Sequence, residues 1–205
     1  MIDLYTAGTP NGRKIVLMLE ELGLPYKAHM IDMKNNEQKS PDFIAMNPNG
    51  RIPVIVDHEG PFGKKTTVFE SGAILYYLAE KCDGKFLGHS LDEKAKTMQW
   101  VMFQMSGIGP NFGNYYYSLN YLEPKTPAYT ARFEKESQRL LSVMELQLSQ
   151  NEYLAGNSYS IADMCTYHWV SNFMNLVPDW FASKPSVRRW LSTLSERPAI
   201  KKASV

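Results

Sequence analysis

Hydrophobic and polar residues alternate in short segments over the first 80 positions of the chain. Apolar side chains recur at every second position within residues 2–6 and form a continuous run at 52–56, and both patterns predict β-strands. Between them, an apolar stripe with helical spacing begins at Ile15. We expect this helix to end at Gly23 and Pro25, because these residues terminate helices.

Three more elements complete this half of the chain. Residues 26–31 predict a second strand, and residues 66–69 predict a fourth strand after a hairpin loop at 60–65. Ser71 is predicted to cap a helix, because a serine often accepts hydrogen bonds at this position. The order βαβ followed by ββα predicts a small mixed sheet with helices packed on it.

From Leu91 onward, the apolar residues keep helical spacing only. Ser160 and Asp163 fit a capping box, in which both side chains accept hydrogen bonds from the free N–H groups of a helix start. Pro185 and Pro198 flank a last predicted helix. The sequence therefore predicts an α/β domain followed by an all-α domain, with bounds that we place at 1–82 for the first domain, 83–90 for the linker and 91–205 for the second.

Composition and charge exclude several classes of protein. The 205 residues are 44% hydrophobic and 21% charged, which is typical of a globular chain rather than a disordered one. The formal net charge of +1 provides no basic field for nucleic acid or an anionic membrane. No apolar stretch approaches the roughly 20 residues of a membrane span, and the first residues do not resemble a signal peptide. We therefore expect a soluble cytoplasmic protein.

The loop between the first strand and the first helix is the first candidate site. It reads Gly8-Thr9-Pro10-Asn11-Gly12, so a hydroxyl, an amide and backbone N–H groups meet at a helix N-terminus. Such an end favours an anion, because the helix dipole is positive there and its N–H groups lack partners in the helix. The alternative is that Thr9 and Asn11 serve only as capping residues.

Two further loops carry candidate residues. Arg51, Ile52 and Pro53 follow an Asn-Gly turn. If the Ile52–Pro53 bond is cis, Ile52 faces an open edge where an extended peptide can pair; a simple turn proline is the alternative. Glu70 and Ser71 can together bind an amino-acid head group. The Glu70 carboxylate would bind the ammonium of the ligand, and the Ser71 hydroxyl would bind its carboxylate. Their alternative role is that of an ordinary helix start.

Other kinds of site are not indicated. The four histidines have no metal-ligand spacing among themselves or with cysteine, so we expect no metal. The sequence contains no phosphate-binding loop, dinucleotide fingerprint or serine-hydrolase elbow. Its two cysteines, Cys82 and Cys165, are too few for a disulfide scaffold, and neither lies in a C-x-x-C motif.

The three loops in this order, followed by helices with an S-x-x-D cap, resemble the cytosolic glutathione transferases over essentially the whole chain. Several longer strings together are similar to the nu-class group of bacterial glutathione transferases, which is related to fungal Ure-type proteins. These strings are T-P-N-G at 9–12, S-P-D-F at 40–43, N-P-N-G-R-I-P at 47–53, F-E-S-G-A-I-L at 69–75, Q-W at 99–100 and G-I-G-P at 107–110. The resemblance implies a thioredoxin-like N-terminal domain, an all-helical C-terminal domain and a homodimer.

The resemblance also implies an activity, namely disulfide-bond reduction with glutathione, reduced or oxidised, as co-substrate. Thioredoxins carry C-x-x-C at the loop that holds Thr9 here, so the reacting sulfur is expected to come from glutathione. Thr9 and Asn11 are then the expected catalytic residues. Tyr5 is the rival for this role by residue type, although it lies within the predicted first strand. Glutathione transfer to electrophiles, peroxide reduction and a non-catalytic binding module are the competing functions.

By the same resemblance, residues of both domains are expected to bind glutathione. Gln38 is implied at its glycyl end, Ile52 at its cysteinyl backbone, and Glu70 with Ser71 at its γ-glutamyl end. Gln99 and Arg132 match positions that bind glutathione across a dimer or bind a second glutathione; the alternative for Arg132 is a surface ion pair with Glu136. The residues expected to line the second-substrate pocket are Phe112, Tyr115 and Tyr116. The alternative is that these residues belong to the hydrophobic core.

Overall fold

The computed structural model describes residues 1–204, and these residues form two compact units. Unit 1 comprises residues 1–85 together with the C-terminal segment that begins at Arg197, and unit 2 comprises Phe86–Glu196. The last segment groups with unit 1 because its helix packs on the first helix of the chain. The domain bounds predicted from the sequence, 1–82 and 91–205, remain a prediction.

Unit 1 has the predicted thioredoxin-like arrangement of a four-stranded mixed sheet with helices. Its elements in chain order are β1 (Ile2–Thr6), α1 (Pro10–Leu22), β2 (Tyr26–Met30), α2 (Pro41–Met46), β3 (Val54–Asp57), β4 (Thr66–Phe69), α3 (Ser71–Lys81) and, after unit 2, α9 (Pro198–Ala203). The strand order is β2-β1-β3-β4. β1 and β2 are parallel, and the other two pairs are antiparallel.

The core of unit 1 follows from the periodicities of its strands and helices. Ile2 and Leu4 of β1 are buried, whereas Asp3 and Tyr5 on the opposite face are partly exposed, as a period of two requires. Helix α1 buries its apolar stripe and ends at Gly23, which adopts the left-handed conformation with φ 66°. These features confirm the predicted first strand and the predicted end of the first helix.

Two local predictions are wrong. β3 begins at Val54 rather than at Ile52, because Pro53 has no N–H group to donate to a neighbouring strand. Ser71 is not the N-cap of α3 but its first helical residue. Glu70 occupies the cap position with φ 70° and makes no side-chain cap hydrogen bond, so this residue adopts a backbone conformation that is unfavourable for a non-glycine residue.

Unit 2 is all-helical, as predicted. Its elements are α4 (Leu91–Phe103), a π-helical turn (Gln104–Ile108), α5 (Gly109–Asn120), α6 (Pro127–Gln150), α7 (Ile161–Leu176), a 3₁₀ turn (Pro178–Phe181) and α8 (Pro185–Ser195). The sequence predicted one last helix after Pro185, but the chain forms two, because Pro198 starts α9. Within residues 1–204, no helix is both long enough and apolar enough to cross a membrane.

The predicted capping box at the start of α7 is confirmed, and its carboxylate is fully buried. Asp163 accepts hydrogen bonds from the N–H and hydroxyl groups of Ser160 at 3.0 and 3.1 Å. It also accepts from the Leu154 N–H at 3.0 Å and from the Trp190 indole at 2.9 Å. Burial raises the pKa of this carboxyl, against the opposing effect of its hydrogen bonds. Asp163 therefore joins a helix start, a loop and α8 in one polar cluster.

A second buried carboxylate makes the stability of unit 1 depend on pH. Asp57 at the end of β3 accepts hydrogen bonds from the Tyr77 hydroxyl at 2.7 Å and from the Lys81 ammonium at 2.8 Å. Burial opposes ionisation of Asp57, but the hydrogen bonds from Lys81, Tyr77 and Glu59 outweigh it, so its pKa is lowered. Burial and the bond to Asp57 raise the pKa of Tyr77 to about 12.

We predict that Asp57→Asn lowers the free energy of unfolding by about 1–3 kcal/mol at neutral pH. A lowered carboxyl pKa stabilises the folded state above the ordinary pKa, and this contribution is lost as pH falls through the folded value. The difference between wild type and variant should therefore narrow below about pH 4. Urea titrations at several pH values measure it. Asp83→Asn, at an exposed carboxylate without a side-chain hydrogen bond in residues 1–204, is the control; an equal pH profile for both variants would contradict the prediction.

Candidate functional site

Several loops of unit 1 meet at one end of the sheet. β1 is antiparallel to β3, with Tyr5 opposite Val54, so the loop after β1 lies beside the start of β3. β3 is antiparallel to β4, with Val54 opposite Phe69, so the turn into α3 lies there as well. β2 ends at the same side, and the Ile31 N–H donates to the Thr6 carbonyl at 2.8 Å. The strand order thus brings the segments that contain the candidate site residues of unit 1 to one end of the sheet. These segments include residues 9–11, 38, 51–53 and 70–71.

Thr9 lies at the N-cap of α1 and keeps its hydroxyl hydrogen available. Its Oγ1 accepts a hydrogen bond from the Gly12 N–H at 3.2 Å, so the predicted capping role is real. Within residues 1–204, the same hydroxyl donates to no protein acceptor. A hydroxyl can accept and donate at once, so capping leaves a donor at the positive end of α1. Asn11, in the first turn of α1, is half-buried.

Gly12 allows this loop to fold back on the strand that precedes it. A Cβ atom at this position would collide with the Ala7 carbonyl oxygen and the Thr6 hydroxyl. The first turn of α1 therefore lies directly against the end of β1, and this close approach requires glycine. The T-x-x-G spacing of residues 9–12 thereby fixes the position of Thr9 at the start of α1.

The loop before β3 presents a free section of backbone. The Ile52–Pro53 peptide bond is cis. Within the described residues, the N–H and C=O groups of Ile52 have no hydrogen-bond partner, so this peptide unit can pair with an extended ligand. Arg51 is exposed, and its side chain makes no hydrogen bond within residues 1–204.

Two asparagines of the preceding turn hold this loop, although the local sequence pattern indicates only turn residues. The buried Asn47 donates from Nδ2 to the Arg51 carbonyl at 2.7 Å and accepts from the Asn49 N–H at 3.0 Å. Asn49 in turn donates from Nδ2 to Glu70 Oε1 at 3.3 Å. These bonds connect the loop before β3 with the start of α3. No pattern within the turn reveals them, because they depend on the neighbouring loop.

The start of α3 combines a carboxylate with an anion-binding end. Glu70 is exposed, and Ser71 is the first residue of the helix. The N–H groups and the positive dipole of this first turn favour an anion. The Ser71 hydroxyl accepts a hydrogen bond from the Lys14 ammonium at 3.2 Å. Lys14 is not among the site residues predicted from the sequence, because the helical pattern indicates only a polar position there.

Gln38 is the remaining candidate of unit 1. It lies in a short 3₁₀ turn, Glu37–Lys39, and is buried. Its Oε1 atom has no hydrogen-bond partner within residues 1–204, although buried polar groups are usually satisfied. No protein donor in residues 1–204 therefore holds the side-chain amide of Gln38 in place through its oxygen.

Tyr5, the rival to Thr9, belongs to the other face of the sheet. Its ring stacks on His29 of β2, with 4.7 Å between ring centroids. His29 in turn contacts Asp3 at 2.9 Å, and Asp3 also contacts His58 at 2.7 Å. Because side chains alternate along β1, Tyr5 and Asp3 lie opposite the face that packs against the core. Tyr5 is thus engaged away from the helix N-termini.

The two candidates of unit 2 on α4 and α6 are exposed. The side chain of Gln99 makes no hydrogen bond within the described residues. Arg132 lies over the Phe133 ring at 5.9 Å and pairs with no carboxylate in residues 1–204. The ion pair considered for it does not form, because Glu136 binds Arg139 at 2.7 Å instead. Arg132 therefore keeps its charge available.

The three candidate pocket residues of α5 have different environments. Phe112 is 0% exposed and packs on Phe173 with 4.1 Å between centroids. Tyr115 is 7% exposed and packs on Trp180. Tyr116, by contrast, is 42% exposed and contacts only Tyr121 among the ring pairs of the described residues. Of the three, Tyr116 is the side chain that a ligand can reach without rearrangement of the helical core.

The thiol and metal chemistry of the chain is limited. Cys165 is buried in α7 and donates to Gln104 Oε1 at 2.8 Å, and Cys82 lies at the end of α3. Neither cysteine belongs to the loops gathered at the end of the sheet. Within residues 1–204, no group of three or more His, Cys, Asp or Glu residues is arranged to hold a metal ion.

Comparisons with known proteins assign the two units to a class. Residues 9–81 match the model of the glutathione S-transferase N-terminal domain, and residues 98–198 match that of the C-terminal domain. Among curated proteins, the chain is 42% identical to disulfide-bond oxidoreductase YfcG of Escherichia coli (strain K12), over 97% of this chain and 92% of the relative. The fold and the site thus define a thioredoxin-like domain joined to a helical domain of the transferase type.

Two similar solved structures contain glutathione. A glutathione transferase from Burkholderia graminis, with two glutathione molecules bound per subunit, has a TM-score of 0.95 and 40% identity over 99% of this chain and 87% of that chain. A glutathione transferase from Pseudomonas putida, with one glutathione disulfide bound per subunit, has a TM-score of 0.93 and 40% identity over 99% and 90%. The chain belongs to the glutathione S-transferase family.

Proposed function

We propose that this protein is a glutathione-dependent disulfide-bond oxidoreductase in which bound glutathione supplies the reacting thiolate. The observation that carries the proposal is the hydroxyl of Thr9, which caps α1 and still has a hydrogen to donate at its positive end. No cysteine lies in this loop, so the chain offers a stabiliser for a sulfur anion but not the sulfur. The oxidoreductase name of a relative with 42% identity supports this choice.

The energies available at this loop are sufficient for the task. A thiol of pKa about 8.5 must fall by one to two units to be largely ionised at neutral pH, which corresponds to roughly 1.4–2.7 kcal/mol. A hydrogen bond to a charged group contributes about 1.5–3 kcal/mol, and a helix N-terminus adds about 0.3–1 kcal/mol. Thr9, Asn11 and α1 can therefore ionise the glutathione thiol, and no general base is required.

The proposed reaction is an exchange of disulfide bonds. The bound thiolate attacks one sulfur of the substrate disulfide, so that a mixed disulfide forms while the other sulfur leaves as a thiolate and takes a proton. A second glutathione thiolate then attacks the glutathione sulfur of the mixed disulfide. Glutathione disulfide forms, and the remaining substrate sulfur leaves as a thiolate and takes the second proton. Two glutathiones are oxidised and one substrate disulfide is reduced, so electrons and protons balance.

The remaining loops of unit 1 are assigned to the rest of the tripeptide. Ile52, before Pro53, pairs with the cysteinyl backbone, and Gln38 contacts the glycyl end, beside Arg51. Glu70 binds the γ-glutamyl ammonium, whereas Ser71 and the N-terminus of α3 bind its carboxylate. The unpartnered backbone of Ile52 and the positive helix end at Ser71 support these assignments.

Finer assignments belong to the same proposal. We assign the chain to the nu-class, Ure-type group and expect a cytoplasmic homodimer. Gln99 and Arg132 contact glutathione across this dimer or contact a second glutathione, which the unpaired charge of Arg132 supports. The second substrate is a disulfide or an electrophilic small molecule, and of the three candidate pocket residues of α5 the exposed Tyr116 is the one that we assign to contact it.

We expect glutathione-dependent turnover to be fastest on a disulfide. The test compares initial rates on three substrates at one glutathione concentration: a small dialkyl disulfide, an organic hydroperoxide and a chloronitroarene. The initial rate on the disulfide should be the highest because its reduction needs only the thiolate. The other two reactions also need groups that polarise a peroxide or stabilise a developing ring anion. Conjugation of the chloronitroarene at the higher rate would instead identify a transferase.

A glutathione-affinity column, followed by the three activity assays, distinguishes an enzyme from a non-catalytic binding module. Retention together with turnover supports the proposed function. Retention without turnover on any of the three substrates identifies a non-catalytic module, as occurs among proteins that share a fold. Passage through the column without retention would contradict every glutathione-based function proposed for this chain.

A further inference from the structure

Lys14 is a lysine with no exposed surface. It lies in α1, and its relative exposure is 0%. Lysine is almost never fully buried without a partner, because an ammonium loses much solvation free energy when it leaves water. Its Nζ donates to Ser71 Oγ, 57 positions further along the chain, at 3.2 Å. Asn11 and Lys14 are three residues apart and therefore share one face of α1.

The direction of this hydrogen bond determines what Ser71 can offer a ligand. An ammonium has only donors, so the serine oxygen must be the acceptor and its hydrogen must point away from Nζ. A hydroxyl that accepts from a cation becomes a better donor, because hydrogen bonds in a chain polarise one another. Ser71 is also the first residue of α3, where the helix end favours an anion.

We propose that Lys14 is a positioning residue for the γ-glutamyl carboxylate of glutathione, acting through Ser71. Its ammonium holds the serine hydroxyl in the donating orientation and adds a positive charge beside the N-terminus of α3. The site thereby selects thiol peptides whose γ-glutamyl group has a free α-carboxylate. This inference rests on the proposed function, because it concerns the same site.

The first test is Lys14→Met, which keeps the length of the side chain and removes the charge. We expect calorimetry to show a dissociation constant for glutathione about 10- to 150-fold larger, the effect of one hydrogen bond to a charged group. The kcat on a disulfide at saturating glutathione should change less than about threefold, because the thiolate is stabilised elsewhere. Lys27→Met removes a charge from an exposed position of unit 1 and should leave binding unchanged.

A glutathione analogue amidated at the γ-glutamyl α-carboxylate distinguishes positioning from folding. The wild type should bind the analogue much more weakly than glutathione, and Lys14→Met should bring the two affinities close together. If Lys14→Met weakens the binding of both ligands by the same factor, the ratio of their dissociation constants is unchanged, and this result would overturn the role of Lys14. Ser71→Ala gives the same readout without loss of the buried charge, and an unchanged ratio in that variant would also overturn it.

Failure of this inference can be told apart from failure of the proposed function. If the wild type shows no heat with reduced glutathione, the proposed function is wrong, and Lys14 has no carboxylate of this ligand to position. If the wild type binds glutathione and Lys14→Met binds it with the same affinity, only the inference is wrong. A double variant, Lys14→Met with Ser71→Ala, should be little weaker than the weaker single variant, because the two side chains act as one unit.

Discussion

Thr9→Val is expected to lower disulfide turnover about 10- to 150-fold at neutral pH, the effect of losing one hydrogen bond to a thiolate. Valine keeps the shape of threonine but has no hydroxyl. The direct readout is the pKa of bound glutathione, which is measured by the ultraviolet absorbance of the thiolate. This pKa should move back toward about 8.5. The double variant Thr9→Val, Asn11→Ala should have less than about one hundredth of the wild-type activity.

The capping role of Thr9 requires its own control. Loss of an N-cap side chain costs about 0.5–2 kcal/mol of stability, so Thr9→Val also weakens the start of α1. Ser90→Ala removes a cap with the same geometry, because the Ser90 hydroxyl accepts from the Glu93 N–H at 3.2 Å. This variant should lose comparable stability and keep its activity. Thr9→Ser, which retains the hydroxyl, should keep most of the activity.

The source of the reacting sulfur decides whether this mechanism holds. A double variant with Cys82→Ser and Cys165→Ser should retain disulfide turnover, because glutathione provides the thiol. Complete loss of turnover in that variant, in a folded protein, would mean that a protein cysteine reacts. Full activity in the Thr9, Asn11 double variant would equally contradict the assignment of these residues.

The sequence located the loops of unit 1 because each is bounded by strong local signals. Gly23 ends α1, and the run at 52–56 fixes β3 to within two residues. Once the strands are known, their pairing brings residues 9–11, 51–53 and 70–71 to one end of the sheet. The positions of these candidates therefore follow from turn chemistry and strand order.

The supporting residues could not be predicted from the sequence. Lys14 looks like an ordinary polar position of α1, and its burial appears only when α3 packs on that helix. The role of Asn47 depends on a carbonyl in the following loop. The backbone of Glu70 at φ 70° likewise has no local signal, since serine at the next position suggested an ordinary cap. Each of these features arises from contacts between elements rather than from a pattern within one element.

The second large effect is expected in unit 2. We predict that Asp163→Ala lowers the free energy of unfolding of this unit by about 3–5 kcal/mol. The variant leaves several buried hydrogen-bond donors without an acceptor, and each such group costs about 1–3 kcal/mol. The donors are the Ser160 N–H and hydroxyl, the Leu154 N–H and the Trp190 indole. An effect of this size is a large part of the total stability of a typical domain.

A matched capping box within the same unit separates burial from capping. Ser90 and Glu93 form the same motif at the start of α4, but there the carboxylate is exposed. Glu93→Ala should therefore cost only about 0.5–2 kcal/mol, the usual effect of a lost cap. The chain has 4 tryptophans, at positions 100, 169, 180 and 190 of unit 2, so their fluorescence in a urea titration follows this unit. Equal losses in the two variants would contradict the prediction, because the difference between them is assigned to the buried donors that only Asp163 satisfies.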